Sequence, residues 1–258
     1  MSLKENKFAM PSKKQPLGIK NYDSIGHLPG SKIGEGDRTC DRGQAKIATV
    51  KIRDKHDRVI VQEKLDGGNV GVALIDGILY PLTRSGYLAC ESFLEQHWRF
   101  SEWVYSQQDR FMAVLEDGER LCGEWLLQAH GTRYHLQHEP FVAFDLMNGN
   151  TRTPHAEFLE RLKPGAFVSP KVIHEGEALS IEKATALLNV YGFHGAIDPV
   201  EGAVWRVERN KETGIKGQRE WVVNFVVKHV RPEKNDGCYL PFISKQPSVW
   251  NTYNLSFL

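Results

Sequence analysis

In the stretch EKLDGGN, Glu63 to Asn69, one lysine closes an apolar run and is followed within five residues by a carboxylate, two glycines and an amide. A lysine amine is a poor nucleophile while protonated, and its ordinary pKa is ~10.4. Confined beside other cations or a bound metal, it loses its proton more readily and the free amine can attack. If the electrophile is the α-phosphate of a nucleotide, the product is a lysyl-nucleotide phosphoramidate. Such a site needs glycines beside the lysine so that backbone can approach the ligand. It also needs a polar group for the ribose, carboxylates for a metal or for sugar hydroxyls, and further cations for the phosphates. Alone, the stretch reads equally well as a solvated turn.

The remaining requirements recur down the chain in order. TRSG supplies Arg84, and GEW supplies Glu124 inside an apolar run, where an unpaired carboxylate is costly. FVAFD supplies Phe141 and Phe144, three apart on a strand, so they face opposite sides and only one lines a common pocket; Phe144 is the expected one. EGAVWR supplies Glu201 and Gly202, and FVVKHVRPEK supplies Lys228, Arg231 and Lys234. Asp66 either orients the glycine turn or binds the ligand. His27, His130, His135 and His138 have no metal-ligand spacing, and Trp98, Trp103 and Trp125 read as core.

The ordered set KxDGxN, GEW, FxAFD, EGxV and a lysine on a last strand resembles the covalent nucleotidyltransferases, the superfamily of ATP-dependent ligases and capping enzymes. The nearest branch is the RNA ligases of the phage type-2 kind, in which Glu also precedes the lysine and Asn stands five after it. The resemblance spans Val59 to Lys234. It implies an ATP-dependent RNA ligase in which Lys64 becomes adenylated, AMP moves to a 5′-phosphate end, and a 3′-hydroxyl then seals the strand. Glu63 would lie near the adenine, and Asn69 and Arg84 on the ribose or on the phosphates of the nucleic-acid end. Glu124 would bind the ribose hydroxyls, and Phe144 would stack on the adenine. Glu201 would engage the metal or the attacking lysine, and Lys228 the α-phosphate. The cofactors implied are ATP and Mg²⁺ (or Mn²⁺). The partner implied is RNA with 5′-phosphate and 3′-hydroxyl ends, with DNA or an RNA–DNA hybrid as the alternative. The competing readings are a DNA ligase, a GTP-using capping-type enzyme, and a catalytically inactive nucleic-acid-binding homologue. One departure stands out: the family's last motif commonly carries two lysines with one residue between them, and here the second position is Val230. Arg231 is the candidate for the missing phosphate contact, although alternation puts it on the face of His229 unless a bulge intervenes.

The elements that must position these residues read as α+β, mostly antiparallel sheets with flanking helices and no complete OB-fold. The expected division is a flexible basic arm over residues 1–20 and one nucleotidyltransferase domain over 21–258, with a short C-terminal extension. Residues 25–41 read as an irregular loop. NVGVALI and ILYPLT form a hairpin around Asp76-Gly77, with Pro81 placing the second strand at an edge. Residues 91–107 pattern as an amphipathic helix, with Phe93, Leu94, His97, Trp98, Trp103 and Val104 on roughly one face. RFMAVLE, RLCGEWLL, PFVAFDLM, EGAVWRVER and WVVNFVVKHV read as strands; HAEFLERL and SIEKATALLN, the latter opened by Ser180, read as short helices. A net charge of +1 over 258 residues gives no global basic signature, so contact with nucleic acid requires a local patch. Four scattered cysteines without CxxC spacing, no signal-peptide core and no membrane-length apolar run point to a reduced, cytoplasmic protein.

Overall fold

The computed structural model describes residues 15–253. Lys4, Lys7, Lys13 and Lys14, the cations of the expected arm, lie outside the described residues. The later part of that arm lies against the rest of the chain: Gln15 Nε2 donates to the Ser85 carbonyl at 2.8 Å.

The strands in chain order are β1 (Gly26–His27), β2 (Asp57–Lys64), β3 (Gly68–Ile75), β4 (Ile78–Thr83), β5 (Glu119–Trp125), β6 (His135–Leu136), β7 (Phe141–Asn148), β8 (Thr151–Arg152), β9 (Val172–Gly176), β10 (Gly202–Glu212), β11 (Arg219–Val230) and β12 (Thr252–Tyr253). The helices are α1 (Arg42–Thr49), α2 (Glu95–Ser106), α3 (Gln108–Val114), α4 (His155–Leu162), α5 (Ile181–Leu188) and α6 (Pro241–Ser244). One sheet runs β1-β11-β10-β2-β9, a second runs β4-β3-β5-β7-β8, and β6 pairs with β12. Pairing is antiparallel except at β1–β11 and β6–β12, and no sheet closes into a barrel among the described residues. The fold is the expected α+β arrangement, and β4 with Pro81 is an edge strand.

Each sheet buries its outer face under helices. Val59 and Val61 of β2 and Ala203, Trp205 and Val207 of β10 pack with Ala48 of α1 and Leu188 of α5. Val70 and Val72 of β3 and Phe141 and Leu146 of β7 pack with Phe100 of α2, Phe111 of α3 and Phe158 of α4. The inner faces oppose each other, so the alternate residues of the central strands meet across the gap between the sheets. The site residues lie on these inner faces.

Three expectations need correction. RFMAVLE is not a strand: its Arg110–Val114 part is helical within α3, where Phe111 and Val114, three apart, are both buried while Met112 is exposed. That is helical spacing, which a short apolar run conceals. Helix α2 begins only at Glu95 and buries Gln96, Phe100, Ser101 and Val104. Phe93 is 88% exposed and Trp98 40% exposed, so Trp98 is not core, unlike Trp103 and Trp125. Residues 25–41 are not wholly irregular, since β1 extends the first sheet beside β11. Among the described residues no helix is long and apolar enough to cross a membrane.

Candidate active site

The gap between the inner faces is a cleft of about 730 Å³ lined by Lys64, Asn69, Arg84, Glu124, Phe144, Glu201 and Lys228, among others. Sheet register explains how positions so far apart in sequence meet. Gly202 pairs with Lys64, which brings Glu201 beside the lysine, and Val204 pairs with Lys228 on the next strand over. In the second sheet Asn69 pairs with Glu124. Between β5 and β7 the register slips, so that Cys122 faces Asp145 and Gly123 faces Ala143. Phe144 is therefore the extra residue of a β-bulge, a device that re-aims a side chain. It turns to the cleft, whereas Phe141 is buried in the helix-covered core.

Close backbone approach needs glycine at two of these positions. A Cβ on Gly67 would lie 2.5 Å from the Trp125 carbonyl oxygen, and one on Gly202 would lie 1.9 Å from the His229 carbonyl oxygen. Larger residues would push apart the turn that follows Lys64, or the β10–β11 pair that seats Glu201.

Lys64 Nζ donates to Glu201 Oε2 at 2.6 Å. Burial works to lower the lysine's pKa, but the carboxylates of Glu201, Glu124 and Asp66 outweigh it and hold the ammonium form above the ordinary lysine range. Burial pushes Glu201 up to about 7 despite Lys64 beside it, and raises Glu124 as well. Glu124 Oε1 accepts from the Gly67 N–H at 3.0 Å, tying the glycine turn to β5. Among the described residues the buried Oδ1 atom of Asn69 has no hydrogen-bond partner, an acceptor available to a ligand hydroxyl.

Lys228 has its pKa lowered, first by burial and then by Lys64; its Nζ lies 3.8 Å from Asp37 Oδ1. The other oxygen of Asp37 lies 3.1 Å from His27 Nε2. Sequence reasoning missed Asp37 because the segment carrying it read as an irregular loop. Arg84 Nη2 donates to Ser24 Oγ at 2.6 Å.

Glu63 borders the cleft but its carboxylate is engaged elsewhere, and Arg231 does not line the cleft at all. On a strand Glu63 must face away from Lys64. Its Oε2 accepts from the Phe193 N–H at 2.8 Å, and its Oε1 has no protein partner. Burial pushes this carboxyl up to about 7, with the Phe193 N–H and Arg231 partly offsetting. The Arg231 guanidinium donates to the Asn189 carbonyl on that same side, so it does not join Lys228. Val230 is buried, and its N–H donates to Ser31 Oγ at 2.9 Å. The carboxylate of Asp66 is engaged by three donors: the Gly131 N–H at 3.1 Å, Thr132 Oγ1 at 3.1 Å and Lys234 Nζ at 3.1 Å. Asp66 thus orients the turn, and Lys234, which the sequence offers as a cation for phosphate, instead holds that turn from the far end of the chain.

Tyr22 is a further missed residue. Its ring meets Phe144 edge-on, centroids 5.0 Å apart at 74°, and its hydroxyl donates to Asp145 Oδ2 at 2.6 Å. Among the described residues no three His, Cys, Asp or Glu side chains gather as a metal cage. Mg²⁺ characteristically takes one or two carboxylates, with substrate phosphates and water completing its shell. Glu201 and Glu124 fit an ion that arrives with a nucleotide.

The RNA ligase family model matches residues 57–229, more than half of the 258-residue chain. No curated protein matches significantly. Among solved structures, a point mutant of the Naegleria gruberi RNA ligase with ATP and Mn is 15% identical, with a TM-score of 0.50 over 88% of this chain and 63% of that one. The Naegleria gruberi RNA ligase with PPi is 16% identical, with a TM-score of 0.49 over 86% of this chain and 62% of that one. An archaeal ATP-dependent RNA ligase is 20% identical, with a TM-score of 0.36 over 68% of this chain and 44% of that one. The chain spans less than two thirds of each of these proteins, and only the likeness at a TM-score of 0.50 speaks, at 15% identity, to the fold alone. The family match runs from the first residue of β2 to within one residue of the end of β11, and so takes in every strand that lines the cleft: the chain belongs to the RNA ligase family.

Proposed function

We propose that the chain is an ATP-dependent RNA ligase that works through a lysyl-AMP intermediate at Lys64. The observation that carries this is the convergence on one cleft of a lysine ion-paired to Glu201, an aromatic face at Phe144, ribose-type acceptors at Asn69 and Glu124, and cations at Lys228 and Arg84. The adenine would stack on Phe144 with its sugar toward Glu124 and Asn69. The α-phosphate would face Lys228 and Arg84, the two cations that this cleft offers where the family commonly has a second lysine.

Adenylation forms a bond from Lys64 Nζ to the α-phosphorus and breaks the bond to the pyrophosphate oxygen. The amine must first give up a proton, and the nearest acceptor is Glu201, 2.6 Å away. A raised carboxyl pKa suits Glu201 to hold that proton near neutrality. Mg²⁺ or Mn²⁺ arriving with the nucleotide and held by Glu124 would neutralise the phosphate charge, leaving Glu201 to take the proton. AMP then passes to the 5′-phosphate of an RNA end, and a 3′-hydroxyl displaces it to close the strand.

Residues 21–258 would act as one nucleotidyltransferase domain. The four free cysteines suit a reducing, cytoplasmic setting. The test is incubation with α-labelled ATP and Mg²⁺ or Mn²⁺. Label should enter wild type, survive denaturation, be released by acid as a phosphoramidate is, and be absent from Lys64→Ala. Label from GTP and not ATP, or equal labelling of Lys64→Ala, would refute the reading.

A further inference from the structure

A second groove, of about 500 Å³, opens on the other side of residues 22–25. Tyr22, Asp23 and Ile25 line the nucleotide cleft, while Asp23, Ser24 and Ile25 line this groove, so the segment is a thin wall between the two. Building on the ligase reading, we propose that this groove carries the sugar–phosphate backbone of the RNA strand whose end enters the cleft.

The first support is charge. Lys20, Arg38, Arg120 and Arg152 line the groove, Arg152 being already paired with Asp145 at 3.1 Å. Arg38 donates to the Ser24 carbonyl at 2.8 Å and has no carboxylate within 4.0 Å among the described residues, so its charge is uncompensated. The lining carboxylates are partly committed, Asp23 lying 3.8 Å from Lys20 and Asp41 accepting from the Gln44 N–H at the start of α1. Gln44, Asn150 and Asn224 add amides. Cations interleaved with amides are what phosphate and sugar oxygens are bound by, without regard to base sequence.

The second support is continuity. Ser24 accepts from Arg84 at its hydroxyl on the cleft side and from Arg38 at its carbonyl on the groove side. One residue thus ties together the last cation of the cleft and the first of the groove. Strand β11 runs past both, with Lys228 in the cleft and Asn224 and Val226 in the groove. Four residues of strand cover roughly 13 Å, so β11 links the cleft to the groove over a short span. With a net charge of only +1 overall, such a local track is what a polyanion would find.

The test measures binding of a short, fluorescent, 5′-phosphorylated single-stranded RNA to wild type, to the double variant Lys20→Ala/Arg38→Ala, and to Lys216→Ala, an exposed charge control remote from the groove. The double variant should bind at least ~5-fold more weakly, with a salt slope shallower by about 1.4 if both cations meet phosphates. Lys216→Ala should match wild type. Unchanged affinity and slope in the double variant, or an equal loss in Lys216→Ala, would overturn the proposal. An acidic peptide that bound wild type but not the double variant, while RNA bound both alike, would overturn it too. Labelling of wild type by α-labelled ATP is read in parallel. If that fails, the ligase reading has failed, whereas normal labelling with unaltered RNA binding would fault the groove alone.

Discussion

Lys234→Met isolates what the far end of the chain contributes to the turn that follows Lys64. The Lys234 side chain is almost fully buried; its ammonium lies 3.1 Å from Asp66 Oδ2 and donates to the carbonyls of Gly131 at 2.7 Å and Pro199 at 3.0 Å. Removing one partner of a buried pair typically costs about 3–5 kcal/mol, because the other charge is left uncompensated. Here the Gly131 N–H and Thr132 Oγ1 still donate to Asp66, and Met fills part of the volume, so the low end, about 3 kcal/mol, is the expectation. For a chain of this size that lowers the melting temperature by roughly 6–12 °C. Asp66→Asn in the same chain removes the orphaned charge, so the double variant should recover at least half of the loss. A second readout follows from electrostatics. The Asp66 carboxylate is one of the groups that raise the Lys64 pKa. Unmasking it should hold Lys64 protonated to higher pH and move the rate profile of lysyl-AMP formation toward alkaline pH. Urea unfolding and labelled-ATP rates across pH are the two assays. A loss below about 1 kcal/mol, or a double variant as unstable as the two singles summed, would refute the reasoning.

Glu63 should make stability fall as pH rises. Its folded pKa of about 7 exceeds its ordinary value of 4.5, so the folded state keeps a proton that the unfolded chain has released. The stability lost between those two pH values amounts to about 3 kcal/mol. Glu63→Gln should flatten that dependence in melts taken from pH 4.5 to 8, and a curve parallel to wild type would count against it. Gly67→Ala places a methyl group 2.5 Å from the Trp125 carbonyl oxygen, so the turn must shift. Lysyl-AMP formation should slow by roughly 10–100-fold while unfolding measurements show a loss of about 1–3 kcal/mol; full-rate labelling would sink the idea. Tyr22→Leu removes the edge that meets Phe144 and should raise severalfold the ATP concentration needed for half-maximal adenylation, as should Phe144→Ala. Tyr22→Phe should leave that concentration unchanged while destabilising the fold by about 1.5–3 kcal/mol through the lost bond to Asp145. Equal ATP dependence in Tyr22→Leu and wild type would remove Tyr22 from the site.

Legibility tracked whether a residue's partner was near in sequence or carried a motif. The hairpin around Asp76-Gly77, the Ser180 start of α5 and the edge position of Pro81 were readable because turn chemistry and proline's missing donor are local properties. α3 was misread because seven residues are too few for a period of 3.6 to declare itself against a period of 2. Asp66 and Lys234 were visible as residues but not as a pair, since 168 positions separate them and only the fold joins the segment after β11 to the glycine turn. Asp37 lies in the 25–41 segment that reads as loop and Tyr22 just before it, and nothing in their local sequence says that a tyrosine edge will meet Phe144 or that an aspartate will reach Lys228.

The same distinction bears on Val230. From sequence, the absent second lysine looked like a weakened site, and Arg231 looked like its only replacement. In the fold Arg231 serves the opposite face, beside Glu63 and Asn189, while Arg84, from the other sheet, stands opposite Lys228 with its guanidinium fixed by Ser24. A charge lost from one strand can be supplied across the cleft by another, because the phosphate responds to where positive charge stands and not to which strand carries it. Val230 itself is in register with Gly202, where the two backbones approach so closely that a Cβ on that glycine would lie 1.9 Å from the His229 carbonyl, and its N–H is bound by Ser31. The apolar residue thus sits at a packed strand end that seats Glu201 beside Lys64. The cleft keeps two cations at Lys228 and Arg84, and on the ligase reading its reactivity would turn on how firmly Glu201, Glu124 and Asp66 hold the proton on Lys64.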